Sequence, residues 1–423
     1  MQRTTMKKLS LLGAAMLLLS GNLQAQSIQK LSSDMDKQDV YEAMRHVADW
    51  QWQQYDAEKN EFTGYEEGAH MDPSSGDSHP QGWVYAALHV GMTRWAELAD
   101  NQGDASYYQK LAYVAKRNQY LFAPRIYNAD DYAIGQLYLD LYEQYGDEKM
   151  ITPLKVIFDQ ILLNPPTVGL TFDWVETRST NTGKKVNDWF GTRGFHHTPC
   201  KNRWCWADAL FMGPPVWIHL ARITGDKRYL DFADQEFWAT VDLLWDKDDH
   251  LFFRDSRFFD KREKNGEKVI WARGVGWVAA GLARILEQLP ADHASRDKYE
   301  DIFRKMMTRL ADAQQSDGFW RPSVLAPESQ PYQESSGTAL LAYAYASGIR
   351  HGVLDKKTFT PVLKKSWKAL VGAVQSDGKL GWVQQIAAKP DSVDAEDTQM
   401  YAVGAFLLTG SELYQLLDKE MIK

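Results

Sequence analysis

Two kinds of stretch alternate along the chain. One kind spaces apolar residues three and four apart with charges between them, as in DKRYLDFADQEFWATVDLLWD from 226, which predicts amphipathic helices with one buried face. Gly-Asp precedes three of these, at Gly103-Asp104, Gly146-Asp147 and Gly225-Asp226, where a left-handed Gly suits the end of one helix and Asp the start of the next. Asp297 and Asp355 open similar stretches without the Gly, and DVYEAMRHVADWQWQQYD near the N-terminus makes six. The other kind is rich in Gly, Ala and aromatics and poor in charge. Its six members start at 81 (QGWVYAALHVGM), 130 (DDYAIGQLYLDLY), 207 (ADALFMGPPVWIHLA), 272 (ARGVGWVAAGLARIL), 334 (ESSGTALLAYAYASGI) and 400 (MYAVGAFLLTGSELY). Small residues permit close packing, so this set reads as an inner ring and the amphipathic set as an outer one. The expected fold is all-α, an (α/α)6 barrel. A solenoid of stacked helix pairs is the competing arrangement. QSDGFW at 315–320 and QSDGKLGW at 375–382 read as one turn used twice.

The inner helices of such a barrel share one direction, so their N-terminal starts meet at one mouth. Asp130 and Asp131, Asp208, Arg273 and Glu334 all stand at those starts. Residues far apart in sequence would then line one pocket.

Residues 1–25 stand apart from this pattern. Arg3, Lys7 and Lys8 make a basic start, LSLLGAAMLLLSG is an apolar run, and Leu23-Gln24-Ala25 ends on a small residue. These are the parts of a secretory signal, too short for a spanning helix. Residues 26–423 are then expected as a single catalytic domain, periplasmic or secreted, with no membrane insertion once the signal is cleaved. Losing three cations takes the formal charge from −8 to about −11. An acidic chain with no basic run is a poor partner for nucleic acid. The aromatic share is high, with 16 Trp and 20 Tyr, which fits sugar-stacking walls and equally fits a core of large side chains.

Chemistry concentrates in HHTPCKNRWCWADALFMGPP at 196–215. His196, His197, Cys200 and Cys205 could ligate zinc, but no second pair completes a robust site. In an oxidising compartment the two cysteines could instead form a small disulfide or stay as packed thiols. No Gly-x-Ser-x-Gly elbow and no Gly-rich loop before Lys-Ser/Thr is present, which argues against serine hydrolysis and phosphate cradling. Carboxyl groups remain. Asp208 follows Trp204 and Trp206, where it could cap a helix or serve as an acid. Asp130 and Asp131 carry the same ambiguity, and one is expected to cap while the other faces the pocket. Asp130 with Asp208 would make the carboxyl pair of a glycosidase. Arg273, between Trp271 and Trp277, is either a packed side chain or a clamp on an acidic sugar.

ADALFMGPP, WARGVGW at 271–277, ESSGTALLAYAYASGI and YAVGAFLL at 401–408 resemble, in this order, glycoside hydrolase family 105, the unsaturated rhamnogalacturonyl hydrolases, which are related to the unsaturated glucuronyl hydrolases. The likeness runs from about residue 80 to the end. It implies an (α/α)6 barrel, no metal or other cofactor, and an anionic substrate whose 4,5-unsaturated uronic acid is removed from a non-reducing end by hydration of its vinyl ether. By resemblance Asp208 is the acid and then the base, and Asp130 matches the second aspartate through its spacing to Gly135 and Leu141-Tyr142. His197, Trp206, Trp271, Arg273 and Trp277 match residues lining the sugar pocket. Two features depart from the family. Arg254, in LFFRDSRFF, stands where a histidine is common and is expected to contact substrate. The insert TFDWVETRSTNTGKKVNDWFGTRGF precedes the His pair. Both leave open a glucuronyl terminus, as on ulvan or arabinogalactan fragments, against a galacturonyl one. The rival activities are a polysaccharide lyase on a similar barrel, which would need a strong base near C5, and a non-catalytic sugar-binding protein.

Overall fold

A computed structural model describes residues 31–63, 79–171 and 199–422. The proposed signal, His197 and nearly all of the insert lie outside the described residues. In chain order the helices are α1 (Lys37–Gln53) outside, α2 (Trp83–Asn101) inside, α3 (Ser106–Arg117) outside, then α4 (Ala129–Tyr132) and α5 (Gly135–Tyr145) inside. Next come α6 (Thr152–Leu163) outside, α7 (Ala209–Met212) and α8 (Pro214–Thr224) inside, and α9 (Lys227–Leu244) outside. The chain finishes with α10 (Ala272–Gln288) inside, α11 (Arg296–Ala313) outside, α12 (Ser335–Arg350) inside, α13 (Lys356–Gly372) outside and α14 (Met400–Asp418) inside. Two of the inner positions are thus filled by helix pairs.

Burial explains the two rings. Every residue of α12 from Ser335 to Ile349 is buried, whereas α11 buries only Tyr299, Ile302, Phe303, Met306, Met307 and Leu310 along one stripe. Around the inner ring α2 packs on α5, α5 on α8, α8 on α10, α10 on α12, α12 on α14, and α14 back on α2. The first and last members meet, so the ring closes as a barrel and is not an open solenoid. That closing seam depends on glycine. A Cβ on Gly91 would sit 2.0 Å from the carbonyl oxygen of Gly404, and one on Gly404 the same distance from that of Ala87.

Local chemistry sets the joints. Gly225 ends α8 at φ 73, and the Asp226 carboxylate accepts the Arg228 N–H at 3.0 Å to open α9. Asp355 caps α13 similarly through Thr358 N–H. Asp297 differs from expectation. It lies in the first turn of α11, Ser295 holds the cap position, and no side chain caps that helix. Between α7 and α8 the chain reads Gly213-Pro214-Pro215, and two residues without N–H interrupt the helical ladder. The repeated QSDG turns match in detail. Gln315 N–H donates to Phe319 O at 2.9 Å and Gln375 N–H to Lys379 O at 2.8 Å.

Two short antiparallel hairpins, β1 (Tyr55–Asp56) with β2 (Glu61–Phe62) and β3 (Trp245–Asp246) with β4 (Leu251–Phe252), follow α1 and α9. The second delivers Arg254 to the mouth of the barrel. Among the described residues no helix is long and apolar enough to cross a membrane.

Candidate active site

At the end where the inner helices begin, a cavity of about 790 Å³, open solvent included, is lined by Trp83, Asp130, Trp206, Asp208, Trp271 and Arg273. Helix direction therefore gathers residues from four inner segments at one mouth. Arg125, Lys201, Met212, Arg254 and the Ile386–Ala388 segment complete the described wall.

Asp208 occupies the position before α7, yet its side chain makes no capping bond and its backbone is already helical, at φ −58 and ψ −32. The capping explanation for this carboxyl fails. Its Oδ2 is buried and accepts no well-formed hydrogen bond from the described residues. Across from it, Nε of Arg254 stands 3.2 Å from Oδ2. Arg254 is also bound through Nη1 to Asp255 at 2.7 Å. Burial opposes the Arg254 charge, but Asp208 and Asp255 outweigh it and raise its pKa. Burial likewise works against the Asp255 carboxylate, and Arg257 and Arg254 more than offset that, holding its pKa down at about 2.

The pair Asp130-Asp131 divides differently from expectation, because neither residue caps. Asn128 does so, its side chain accepting the Asp130 N–H at 3.0 Å. Asp131 is buried against Arg125, whose Nε lies 3.0 Å from both carboxylate oxygens and whose backbone N–H donates to Oδ2 at 2.7 Å. Asp130 is left to line the cavity.

Arg273 is 1% exposed. Its Nη1 donates to Gln384 O at 2.6 Å and Nη2 to Gln385 O at 2.8 Å, and the guanidinium stands 4.4 Å from the Trp271 ring and 4.9 Å from the Tyr401 ring. Nε is buried without a partner, and among the described residues no carboxylate pairs with this side chain. Buried charges are normally paired. Nη1 also donates to Ser336 Oγ at 3.3 Å, and that hydroxyl donates to the buried Glu334, so the counter-charge reaches Arg273 only through Ser336. A guanidinium in a cavity wall with no direct carboxylate partner is a site for a ligand carboxylate. Trp271 is fixed beside it through Nε1, which donates to Gln384 Oε1 at 2.8 Å.

Other expectations need correction. Trp277 is 1% exposed and lies behind the wall, edge-on to Trp83 at 6.2 Å and against Phe211 at 4.8 Å, so it supports the pocket instead of lining it. Glu334 is fully buried and caps α12 through Ser336 and Gly337 N–H, while also accepting the Gln384 N–H; it anchors the segment behind Arg273. Cys200 and Cys205 form a disulfide, which takes both sulfurs out of the ligand set considered for zinc. Among the described residues Asp140, Glu143 and His219 bring ligand-type atoms within 4.8 Å of one another. Arg222 donates to the same Glu143 and lies 2.9 Å from His219 Nε2, so a positive charge already stands where a cation would bind. Sequence reasoning missed Trp83, Arg125, Lys201 and the Ile386–Ala388 segment. Trp83 begins an inner helix and the shared-mouth argument could have found it; the apolar segment carries no signal.

Carboxyls, indole walls and a guanidinium with no direct carboxylate partner, at one mouth of a double ring of helices, are the parts of a carbohydrate-active enzyme of the α/α-barrel class. The family model described as Glycosyl Hydrolase Family 88 matches residues 43–417, and the chain belongs to that family. It is a glycoside hydrolase. An unsaturated 3S-rhamnoglycuronyl hydrolase of Alteromonas sp. (strain LOR) is 39% identical over 331 residues, 78% of this chain and 77% of the relative. Among solved structures, a glycosyl hydrolase family 88 protein from Bacteroides vulgatus has a TM-score of 0.70 and 25% identity, covering 90% of this chain and 99% of its own. A structure named polysaccharide lyase BACCELL_00875 has a TM-score of 0.71 and 27% identity, covering 90% and 98%.

Proposed function

We propose that this hydrolase removes a 4,5-unsaturated uronic acid from the non-reducing end of oligosaccharides released by a polysaccharide lyase, with rhamnose as the adjoining sugar. The observation that carries the reading is the pairing, in one cavity, of an uncapped Asp208 with a buried Arg273 that has no carboxylate partner among the described residues. The name of the Alteromonas relative supports a uronyl terminus linked to rhamnose. Glucuronate and galacturonate differ only at C4, which is planar in the unsaturated sugar, so the parent polymers differ in the adjoining sugar and not in the terminus.

In this mechanism Arg273 holds the uronate carboxylate, and Trp206 and Trp271 wall the ring. The Asp208 carboxyl gives a proton to C4 as the C4=C5 electrons form the new C–H bond, leaving an oxocarbenium ion shared by C5 and the ring oxygen. A water oxygen bonds to C5 and its proton returns to Asp208, so one water is added and the acid is restored. Asp130 assists by orienting that water. The hemiketal opens to a ketone at C5 and a hemiacetal at C1, whose bond to the glycosidic oxygen then breaks to leave an aldehyde and release the remaining saccharide as an alcohol. Residues 1–25 support export to the periplasm or beyond, and residues 26–423 serve as a single catalytic domain.

The test is incubation with lyase-treated ulvan, rhamnogalacturonan and arabinogalactan while following the ultraviolet absorbance of the unsaturated uronate. The expected result is loss of absorbance, fastest on the rhamnose-linked unsaturated uronate. A gain of absorbance on intact polymer would mean a lyase. Binding with no change in absorbance would mean a non-catalytic protein.

A further inference from the structure

We infer that Arg254 is a positioning residue for Asp208: fixed by Asp255, its guanidinium neutralises the carboxylate that Asp208 becomes on giving up its proton, without covering the oxygen that carries that proton. The inference rests on the acid–base role proposed for Asp208, and it replaces the sugar-contacting role expected for Arg254.

The backbone comes first. Arg254 leaves the β3–β4 hairpin, and its carbonyl oxygen accepts the Ala207 N–H at 2.7 Å. That bond straps residue 254 to the residue preceding Asp208, so the two side chains face each other across one tether.

The side chain is then locked from behind. Asp255 is fully buried, and its carboxylate accepts Arg257 N–H at 3.0 Å and Arg257 Nε at 2.8 Å on Oδ1, and Arg257 Nη2 at 2.8 Å and Arg254 Nη1 at 2.7 Å on Oδ2. An ionised carboxylate offers about four acceptor sites. All are taken, so Asp255 has no second arrangement to offer Arg254. The order Arg257, Asp255, Arg254, Asp208 alternates in charge across two segments of the chain and ends at the cavity.

The last observation concerns the facing atoms. Nε of Arg254 is 3.2 Å from Oδ2 of Asp208, yet both atoms are buried without a hydrogen bond of acceptable geometry. The contact supplies charge without directing an N–H along the oxygen lone pair. Oδ2 is enclosed, so the proton that the acid delivers to C4 and later recovers from water rides on the other oxygen, Oδ1, which this contact leaves alone. Positive charge beside the oxygen stabilises the carboxylate formed in the first half of the reaction and holds its direction for the second.

The test uses the full chain and the unsaturated rhamnose-linked disaccharide, with kcat and KM resolved separately. Arg254→Met should lower kcat by about 100-fold or more while KM stays within about threefold. Asp255→Asn should lower kcat by about tenfold, again with little change in KM. Guanidinium chloride at millimolar concentration should restore part of the kcat of Arg254→Ala and none of that of Asp208→Asn. A tenfold rise in KM with kcat unchanged in Arg254→Met would overturn the inference and make Arg254 a sugar ligand. Wild-type kcat in that variant would overturn it too. If Arg254→Met loses its native circular dichroism, the Asp255→Asn split and the rescue decide in the same way. A wild type inactive on the disaccharide would overturn the functional reading and the inference together. An active wild type with an unaltered Arg254 variant would overturn the inference alone.

Discussion

Replacing Arg273 with Met removes a buried charge but keeps most of the side-chain volume. In the free protein the lost partners are two backbone carbonyls and the Ser336 hydroxyl, which still donates to Glu334. Gln384 O still accepts a bond from Tyr401 Oη, whereas Gln385 O loses the Nη2 donor at 2.8 Å. The cost to stability is therefore about 1–3 kcal/mol, from one or two under-satisfied carbonyls. The cost to substrate binding is larger in consequence, because a uronate carboxylate would enter a buried site with no counter-charge. Charge-assisted bonds of this kind are worth about 3 kcal/mol, which is roughly 150-fold in kcat/KM. The loss should fall mainly on KM, since the carboxylate is bound in ground state and transition state alike. The decisive assay compares the acid with its methyl ester in wild type and Arg273→Met, following loss of the unsaturated chromophore. Wild type should handle the ester about 150-fold less well than the acid, and the variant should treat the two nearly alike, so the effects do not add. If the variant lowers activity on acid and ester by the same factor, Arg273 does not hold the carboxylate.

Two further outcomes test the scaffold. A Cβ on Gly213 would lie 2.7 Å from the Trp204 indole, whose Nε1 donates to Tyr132 Oη, so Gly213→Ala should destabilise the fold by about 1–3 kcal/mol in urea titration; an unchanged midpoint would show that Trp204 can yield. His89 is wholly buried, with both ring nitrogens unpartnered, and burial pushes its pKa down to about 3. Its folded value is below its unfolded value of 6.5, so its contribution is complete above pH 6.5 and is lost as pH falls toward 3. Between pH 6.5 and 4.5 His89→Leu should lose about 2–3 kcal/mol less stability than wild type, and equal losses would contradict that burial account.

The double ring was legible because helix packing writes itself locally. Gly-Asp joints and the change from amphipathic to small-residue composition both occur within one helix length, and all six inner segments fell where expected. Ring closure was not legible in the same way. It depends on Gly91 and Gly404 meeting across the seam, and no local pattern couples residues so far apart. At the site, the cap and the acid demand the same place for Asp208, so only the direction of its side chain separates them. Asp130 and Asp131 are equivalent as sequence; Arg125, which draws Asp131 inward, decides between them. Within WARGVGW the two indoles look alike, but Trp271 precedes the first turn of α10 and Trp277 lies within the helix, packed on Phe211. Lys201 enters the wall on the small Cys200–Cys205 loop, which spacing alone could not distinguish from an open one.

The account turns on the carboxyl of Asp208, and turnover by Asp208→Asn measures it most directly. The amide keeps the side chain's shape but cannot cycle a proton between C4 and water. With circular dichroism matching wild type, the rate of chromophore loss from the unsaturated rhamnose-linked disaccharide should fall by about 10³-fold or more. A folded Asp208→Asn enzyme working within about tenfold of the wild-type rate would contradict the account.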